Sequence, residues 1–114
     1  MIEADRVGLV TGAPAPILTP SESGRGQTIW RCPDCQVALW SNYGGRSAIH
    51  FLRAGTLDRP GRIAPDMHIF AASKLPWVTI PAGARAVPRF YDYGTTWPAE
   101  AWERRQAALA RQAD

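Results

Sequence analysis

The cysteine pair Cys32 and Cys35 has the residue type and spacing that bind metal ions or do redox chemistry. Two residues, Pro33 and Asp34, separate the sulfurs, so both thiolates can converge on one ion while the backbone between them turns. A structural zinc site needs four ligands, commonly four cysteines or two cysteines with two histidines, and this pair supplies two. The pair therefore indicates half of a metal site, and two reduced thiols without a metal remain the alternative.

A redox role is disfavoured by the residues that follow the pair. A dithiol oxidoreductase needs a helix after its second cysteine, because the helix N-terminus lowers the pKa of a thiol. Here Gln36–Trp40 follows, and its Val37–Trp40 part is typical of a β-strand. Strands on both sides of the cysteines are typical of a metal knuckle at the end of a hairpin.

Other side chains with metal-binding or acid–base chemistry are few. The two histidines, His50 and His68, could each complete a zinc site, although a hydrogen-bonded structural role is favoured for both. Asp58 follows Gly55–Leu57 and is expected to bond nearby backbone N–H groups in a turn rather than to act as a general base.

Composition and charge exclude several classes of function. Twelve arginines accompany the single Lys74, but the net charge is only +3 and the arginines are scattered, so no nucleic-acid partner is expected. No stretch approaches the roughly 18 apolar residues of a membrane span, and no secretory signal opens the chain. We therefore expect a cytoplasmic protein with no membrane partner.

The elements that must position the cysteines are predicted to be mainly β. Turn signals recur about every ten residues, which is typical of an antiparallel sheet, and a short extended piece is expected at Ile17–Leu18. An Ala-rich stretch after Pro98 predicts a C-terminal α-helix to Gln112, with Glu100 and Arg104 at a favourable i,i+4 spacing. We assign residues 1–97 to a β domain and residues 98–114 to the helix. The strands are predicted at 6–10, 28–31, 37–40, 47–53, 66–71 and 77–80.

Aromatic residues are numerous for a chain of 114 residues. The five tryptophans are expected in the core and at its edges. The stretch Phe90–Tyr93 could instead line a pocket or an oligomer contact, and exposed aromatic side chains there would favour partner binding.

Several motifs together resemble the glutathione-dependent formaldehyde-activating enzyme family, also called the centromere protein V domain family. Their order and spacing match from about residue 2 to about residue 82. The motifs are Arg31–Cys35, Gly55–Asp58, Pro65–Phe70 and Pro76–Val78, and the opening Glu3–Asp5 with Gly12 is also similar to the family.

The resemblance implies a Mss4-like antiparallel β fold in which Cys32 and Cys35 are half of a structural zinc site. It also implies carbon–sulfur lyase activity on a glutathione–aldehyde adduct, with a second zinc as the catalytic metal. Family members carry an N-terminal segment with a CxC pair for the structural zinc and a CxCxxC group for the catalytic zinc. Cys32 is the first cysteine here, so we expect a relative shortened at the N-terminus, or a recorded start too far downstream, without the catalytic zinc site.

One residue of the knuckle departs from the family pattern. Gln36 stands where the family usually has glycine, so the turn must accept a side chain there.

Three functional hypotheses follow from the residues and the resemblance. The chain is a zinc-dependent carbon–sulfur lyase, a catalytically silent β domain for binding or structure, or a homodimer in which two Cys pairs share one four-cysteine zinc site. No catalytic residue is assigned.

Overall fold

Five strands form one antiparallel sheet in the first part of the chain. The structure is a computed structural model that describes residues 1–113. The strand order is β1-β5-β4-β3-β2, and every neighbouring pair is antiparallel. The strands are β1 (Ile2–Glu3), β2 (Ala15–Thr19), β3 (Gln27–Arg31), β4 (Ala38–Tyr43) and β5 (Ile49–Leu52). Helix α1 spans Tyr93–Thr96, and helix α2 spans Ala99–Ala113.

The predicted class, mainly β with a C-terminal helix, is confirmed. The chain divides into two units, of which the first contains Met1–Pro60 and the part of α2 from Glu103 onward. The second unit is Gly61–Trp102. No helix among residues 1–113 is both long and apolar enough to cross a membrane.

Several predicted strand boundaries are wrong. The strand expected over 6–10 does not form, because β1 ends at Glu3 and a 3₁₀ turn follows over Ala4–Arg6. The strand expected to end at residue 40 continues, so β4 extends to Tyr43 and the turn begins only at Gly44. Gly44 and Gly45 both have positive φ angles, of 58° and 73°, which only glycine adopts readily. The tight reversal therefore falls on the glycines.

The small core of the first unit lies where α2 and the middle of the sheet provide apolar side chains. Ile29, Trp40, Ile49 and Ala108 are its buried apolar residues. Two polar side chains, Ser41 and Asn42, are buried as well. Arg53 donates a hydrogen bond to the Ser41 hydroxyl at 2.8 Å, which satisfies the first of them.

Helix α2 is anchored to the first unit by polar contacts of its exposed positions. Arg104 donates to the Glu3 carboxylate at 3.0 Å, and among the described residues it pairs with Glu3 rather than with the expected Glu100. Gln112 bonds the backbone at both ends of the β4–β5 turn, accepting from Ala48 N–H and donating to Gly45 C=O. Exposed pairs within one helix contribute only a few tenths of a kcal/mol, roughly, so the i,i+4 spacing does not by itself decide which acid Arg104 contacts.

Strand β2 presents an unusual free edge. On β3, Gly26 C=O and Cys32 N–H bond toward β4, so the alternate residues of β3 bond toward β2. The β2 residues facing β3 are then Ala15, Ile17 and Thr19. The backbone groups that point away from β3 belong to Pro14, Pro16, Leu18 and Pro20, and only Leu18 has an N–H. This edge therefore offers one donor where a regular strand would offer four.

The second unit contains little regular structure. The strands predicted over 66–71 and 77–80 are wrong, because only one parallel bridge, His68 with Ala86, forms among the described residues. The positive φ angle of Phe70 and the 3₁₀ turn over Ala71–Ser73 end the extended backbone there. Helix α1 was not predicted, and Asp92 caps it by accepting from Thr95 N–H at 2.9 Å.

Aromatic rings pack against one another in place of a buried core in this unit. The Phe90 and Tyr91 rings stack with centroids 4.7 Å apart, and Trp97 donates to the Tyr91 hydroxyl at 3.0 Å. Tyr93 contacts Trp97 at 4.9 Å and Trp102 at 6.1 Å. None of the residues 61–102 is fully buried.

Candidate functional site

The cysteine pair closes the turn between β3 and β4, as predicted. Cys32 N–H donates to Val37 C=O at 3.0 Å, and Gln36 N–H donates back to Cys32 C=O at 2.9 Å. The Arg31 guanidinium holds the far side of the turn by donating to Gln36 C=O at 2.9 Å. These bonds fix the backbone around the sulfurs without help from a ligand.

Gln36 occupies a strained backbone position in the turn, and the turn accepts its side chain. Its φ angle is 63°, in the left-handed region where a Cβ atom costs about 1–2 kcal/mol. The side chain partly compensates, because Gln36 Nε2 donates to Pro33 C=O at 3.1 Å. The knuckle therefore keeps its shape although a side chain replaces the usual glycine.

The two thiols are reduced and unequal. Hydrogen bonds from the backbone N–H of Cys35, then from that of Asp34 and from the Cys35 thiol, lower the pKa of Cys32. Cys32 is half-buried and Cys35 is exposed. Backbone N–H groups aimed at a sulfur stabilise its thiolate, which is the form that binds metals. The arrangement favours a charged Cys32 sulfur that a ligand can reach from the Cys35 side.

The donor atoms fit zinc in type but not in number. Within residues 1–113, no group of three or more His, Cys, Asp or Glu side chains is placed to hold a metal ion. A tetrahedral structural site needs two ligands more than Cys32 and Cys35 provide. Neither histidine supplies them within the described chain.

His50 takes part in a separate polar network on the sheet, centred on Asn42. Asn42 Nδ2 donates to Ile49 C=O at 2.7 Å and to His50 Nδ1 at 2.9 Å. Asn42 Oδ1 accepts from Trp30 Nε1 at 2.9 Å. Because an indole N–H can only donate, Trp30 fixes which end of the amide faces His50.

The network keeps the imidazole of His50 neutral. Burial lowers the pKa of His50, and its ring stacks on Trp40 with centroids 4.9 Å apart. Protonation would place an N–H on Nδ1 opposite the amide hydrogens of Asn42, and two donors cannot pair. His50 therefore has the hydrogen-bonded structural role that the sequence favoured for it.

The remaining candidates lie apart from these contacts. The backbone of His68 makes two hydrogen bonds: its C=O accepts from Val87 N–H, and its N–H donates to Arg85 C=O. Asp58 is exposed in a bend between two 3₁₀ turns, and the described residues give its side chain no hydrogen bond. The turn-stabilising role expected for Asp58 is therefore wrong, because the chain turns through backbone bonds at Thr56 and Leu57 instead.

Asn42 was missed because Ser41 to Gly45 has the composition of a turn. The signal that identifies it is alternation along the strand: Trp40 and Asn42 share one face of β4 and pair with Trp30 and Thr28 of β3. A polar residue on a tryptophan-lined face must find partners there. The indole N–H of Trp40 is buried and has no partner among the described residues.

The fold and the site together define a small, mainly β domain whose central hairpin ends in a Cys-x-x-Cys turn. The family model described as glutathione-dependent formaldehyde-activating enzyme matches residues 1–73. This match covers more than half of the chain, so the chain belongs to the glutathione-dependent formaldehyde-activating enzyme family. No curated protein and no solved structure matches significantly, and the Mss4-like likeness stays a prediction.

Proposed function

We propose that this chain serves the family's glutathione-dependent, carbon–sulfur lyase type of chemistry as a knuckle domain, and that ligands from outside the described residues complete any metal centre. The observation that supports this is the preformed turn at Cys32 and Cys35, with backbone N–H groups directed at the Cys32 sulfur. Such a turn binds a metal without reorganising.

Zinc is the metal implied by the family, and Cys32 and Cys35 are the residues that would hold it. Bound there, zinc would lock the β3–β4 turn and supply stability rather than catalysis. The chain's own contribution is to keep both sulfurs on one side of the turn and to stabilise the Cys32 thiolate by hydrogen bonding.

Elemental analysis of the purified protein tests the proposal, together with turnover of the glutathione–formaldehyde adduct. We expect zinc that is lost in the Cys32→Ser, Cys35→Ser variant, and no turnover by the 114-residue chain alone. The Asp34→Asn variant is the matched control, since it alters the same turn but keeps both thiols. Zinc-dependent turnover by the chain alone would overturn the proposal, as would metal content that is unchanged without the thiols.

A second candidate is a catalytically silent module in which two chains share one zinc held by four cysteines. The exposure of Cys35 at the end of the hairpin favours it, since a second knuckle can approach from that side. This arrangement predicts about half a zinc per chain. One zinc per chain, with sulfur ligands from that chain only, would contradict it.

A further inference from the structure

The second unit exposes an apolar surface that its own residues do not cover. Phe70 lies beside Phe90, with ring centroids 6.2 Å apart, and Ile69 precedes Phe70 in the chain. The chain continues from Phe70 into an apolar turn, closed by a 3.0 Å bond from Val78 N–H to Leu75 C=O. The apolar surface consists of Ile69, Phe70, Leu75, Trp77, Val78 and Phe90, all of them exposed.

Trp77 is the most exposed member, at 77% of its full area. These six side chains leave on the order of 600 Å² of apolar area in water, because a large side chain presents roughly 150–250 Å². That value is at the upper end of the 300–600 Å² or so of the largest patch on a typical monomer. Within the stretch Phe90–Tyr93, where exposed aromatic side chains would favour partner binding, Phe90 is exposed, whereas Tyr91 and Tyr93 are half-buried.

The area matches what a stable dimer needs. A standard interface buries about 800 Å² per partner, and homodimer interfaces are about 65% apolar, which is roughly 500 Å² of apolar area per protomer. The apolar surface of the second unit supplies this amount within a short stretch of sequence and one adjacent ring.

The charges around this surface permit it to face a copy of itself. Lys74 and Arg89 lie within or beside it, and Asp66 and Asp92 lie a few residues away along the chain. Both signs thus occur within a few residues of the apolar surface along the chain, so its charges do not oppose contact between two copies. A strongly single-signed rim would have indicated a partner of opposite charge instead.

Sheet extension through β2 is disfavoured as a route to a dimer. The free edge of β2 has a single N–H, that of Leu18, because Pro14, Pro16 and Pro20 occupy the other outward positions. An added strand would find its hydrogen-bond donors missing.

We propose that the apolar surface of the second unit is the interface of a homodimer, in which Trp77 and its neighbours pack against the same surface of a second copy. The interface does not include Cys32 or Cys35, so it forms whether or not zinc is bound. It goes beyond the proposed function, which concerns the metal knuckle alone.

Sedimentation velocity over a concentration series tests the interface. We expect a native dimer with a Kd on the order of 1 µM or below, and a rise of at least about 100-fold in the Leu75→Gln, Trp77→Gln variant, since tryptophan anchors dominate interfaces. Leu18→Gln is the matched control, because Leu18 is exposed at 76% but lies on β2. Far-ultraviolet circular dichroism checks that each variant is folded.

The Cys32→Ser, Cys35→Ser variant separates this interface from a shared zinc, and we expect it to remain a dimer. A native protein that stays monomeric would overturn the interface, as would a dimer unaffected by Leu75→Gln, Trp77→Gln. A dimer lost on removing the thiols would assign the contact to the knuckle instead. A monomer that binds neutral phospholipid vesicles through Trp77 would assign the surface to a membrane.

Discussion

The two units of this chain obtain their structure from different interactions. In the first unit, strand register and one buried amide fix a sheet, and each polar group of Asn42 has a partner. In the second, aromatic rings contact one another while no residue of 61–102 is fully buried. The comparison shows that one chain can contain both a sheet with a buried, fully bonded polar side chain and a unit whose rings contact one another without full burial.

The largest effect should follow from removing the amide at the centre of the first unit. Asn42→Ala leaves Trp30 Nε1, Ile49 C=O and His50 Nδ1 without their partner, and we expect a loss of about 3 kcal/mol in the free energy of unfolding. Urea unfolding measures it. Ser23→Ala, at an exposed loop position, is the control and should change little.

Unchanged stability in Asn42→Ala would mean that the network does not hold the sheet together. The comparison between the units would then have no energetic basis.

A matched pair of tryptophan substitutions compares the units directly. Trp30 and Trp97 are both half-buried, and each donates one indole hydrogen bond, to Asn42 and to Tyr91 respectively. Trp30→Phe leaves a buried amide oxygen unpaired and should cost about 2 kcal/mol, whereas Trp97→Phe leaves a half-exposed hydroxyl that water can reach and should cost under about 1 kcal/mol. Thermal or urea unfolding measures both. Equal losses would contradict the contrast.

The knuckle and the strands around it could be predicted from the sequence, whereas β1 and the second unit could not. Around Cys32 the signals are local: β-forming residues lie on both sides of a short turn that carries the cysteine spacing. Between 66 and 80 two stretches have the composition of strands, but the backbone of the first bonds only irregularly to residues 85–89, and the left-handed Phe70 ends its extended course. Strand formation depends on a partner, which composition does not reveal.

The candidate site likewise has one part that the sequence predicts and one part that it does not. The cysteine spacing identifies the knuckle, whereas the network of Asn42 depends on which strands are neighbours. His50 approaches Asn42 only because β5 pairs with β4. The number of ligands around Cys32 and Cys35 is likewise a property of the folded chain, and the sequence left it open.

The pH dependence of stability provides a smaller effect confined to the first unit. Burial lowers the pKa of His50 in the folded state, so below about pH 6.5 the unfolded chain binds more protons than the native one. Stability should therefore be constant at neutral pH and fall as the pH drops below about 6.5, by at most about 1.4 kcal/mol per pH unit.

Urea unfolding between neutral pH and pH 5 measures this slope, and His50→Gln should flatten it. The lowered pKa of Glu3 has its effect nearer its ordinary value of 4.5, at lower pH, so the two groups can be distinguished. His68→Gln is the control, because His68 belongs to the second unit and its backbone bonds do not depend on its ring. A slope that persists in His50→Gln but vanishes in His68→Gln would reverse the assignment.

The smallest expected effect compares the two strained residues, one in each unit. Gln36 and Phe70 are the only non-glycine residues with positive φ among the described residues, at 63° and 55°. Gln36→Gly relieves about 1 kcal/mol of strain but loses the exposed bond to Pro33, so we expect a net gain of about 0.5 kcal/mol and an unchanged dimer Kd. Phe70→Gly relieves similar strain and removes an exposed ring, so it should leave folding nearly unchanged while raising the dimer Kd by about 10-fold. Urea unfolding and sedimentation on the same samples measure both quantities. If Gln36→Gly weakened the dimer and Phe70→Gly did not, the knuckle rather than the apolar surface would be the contact between the copies.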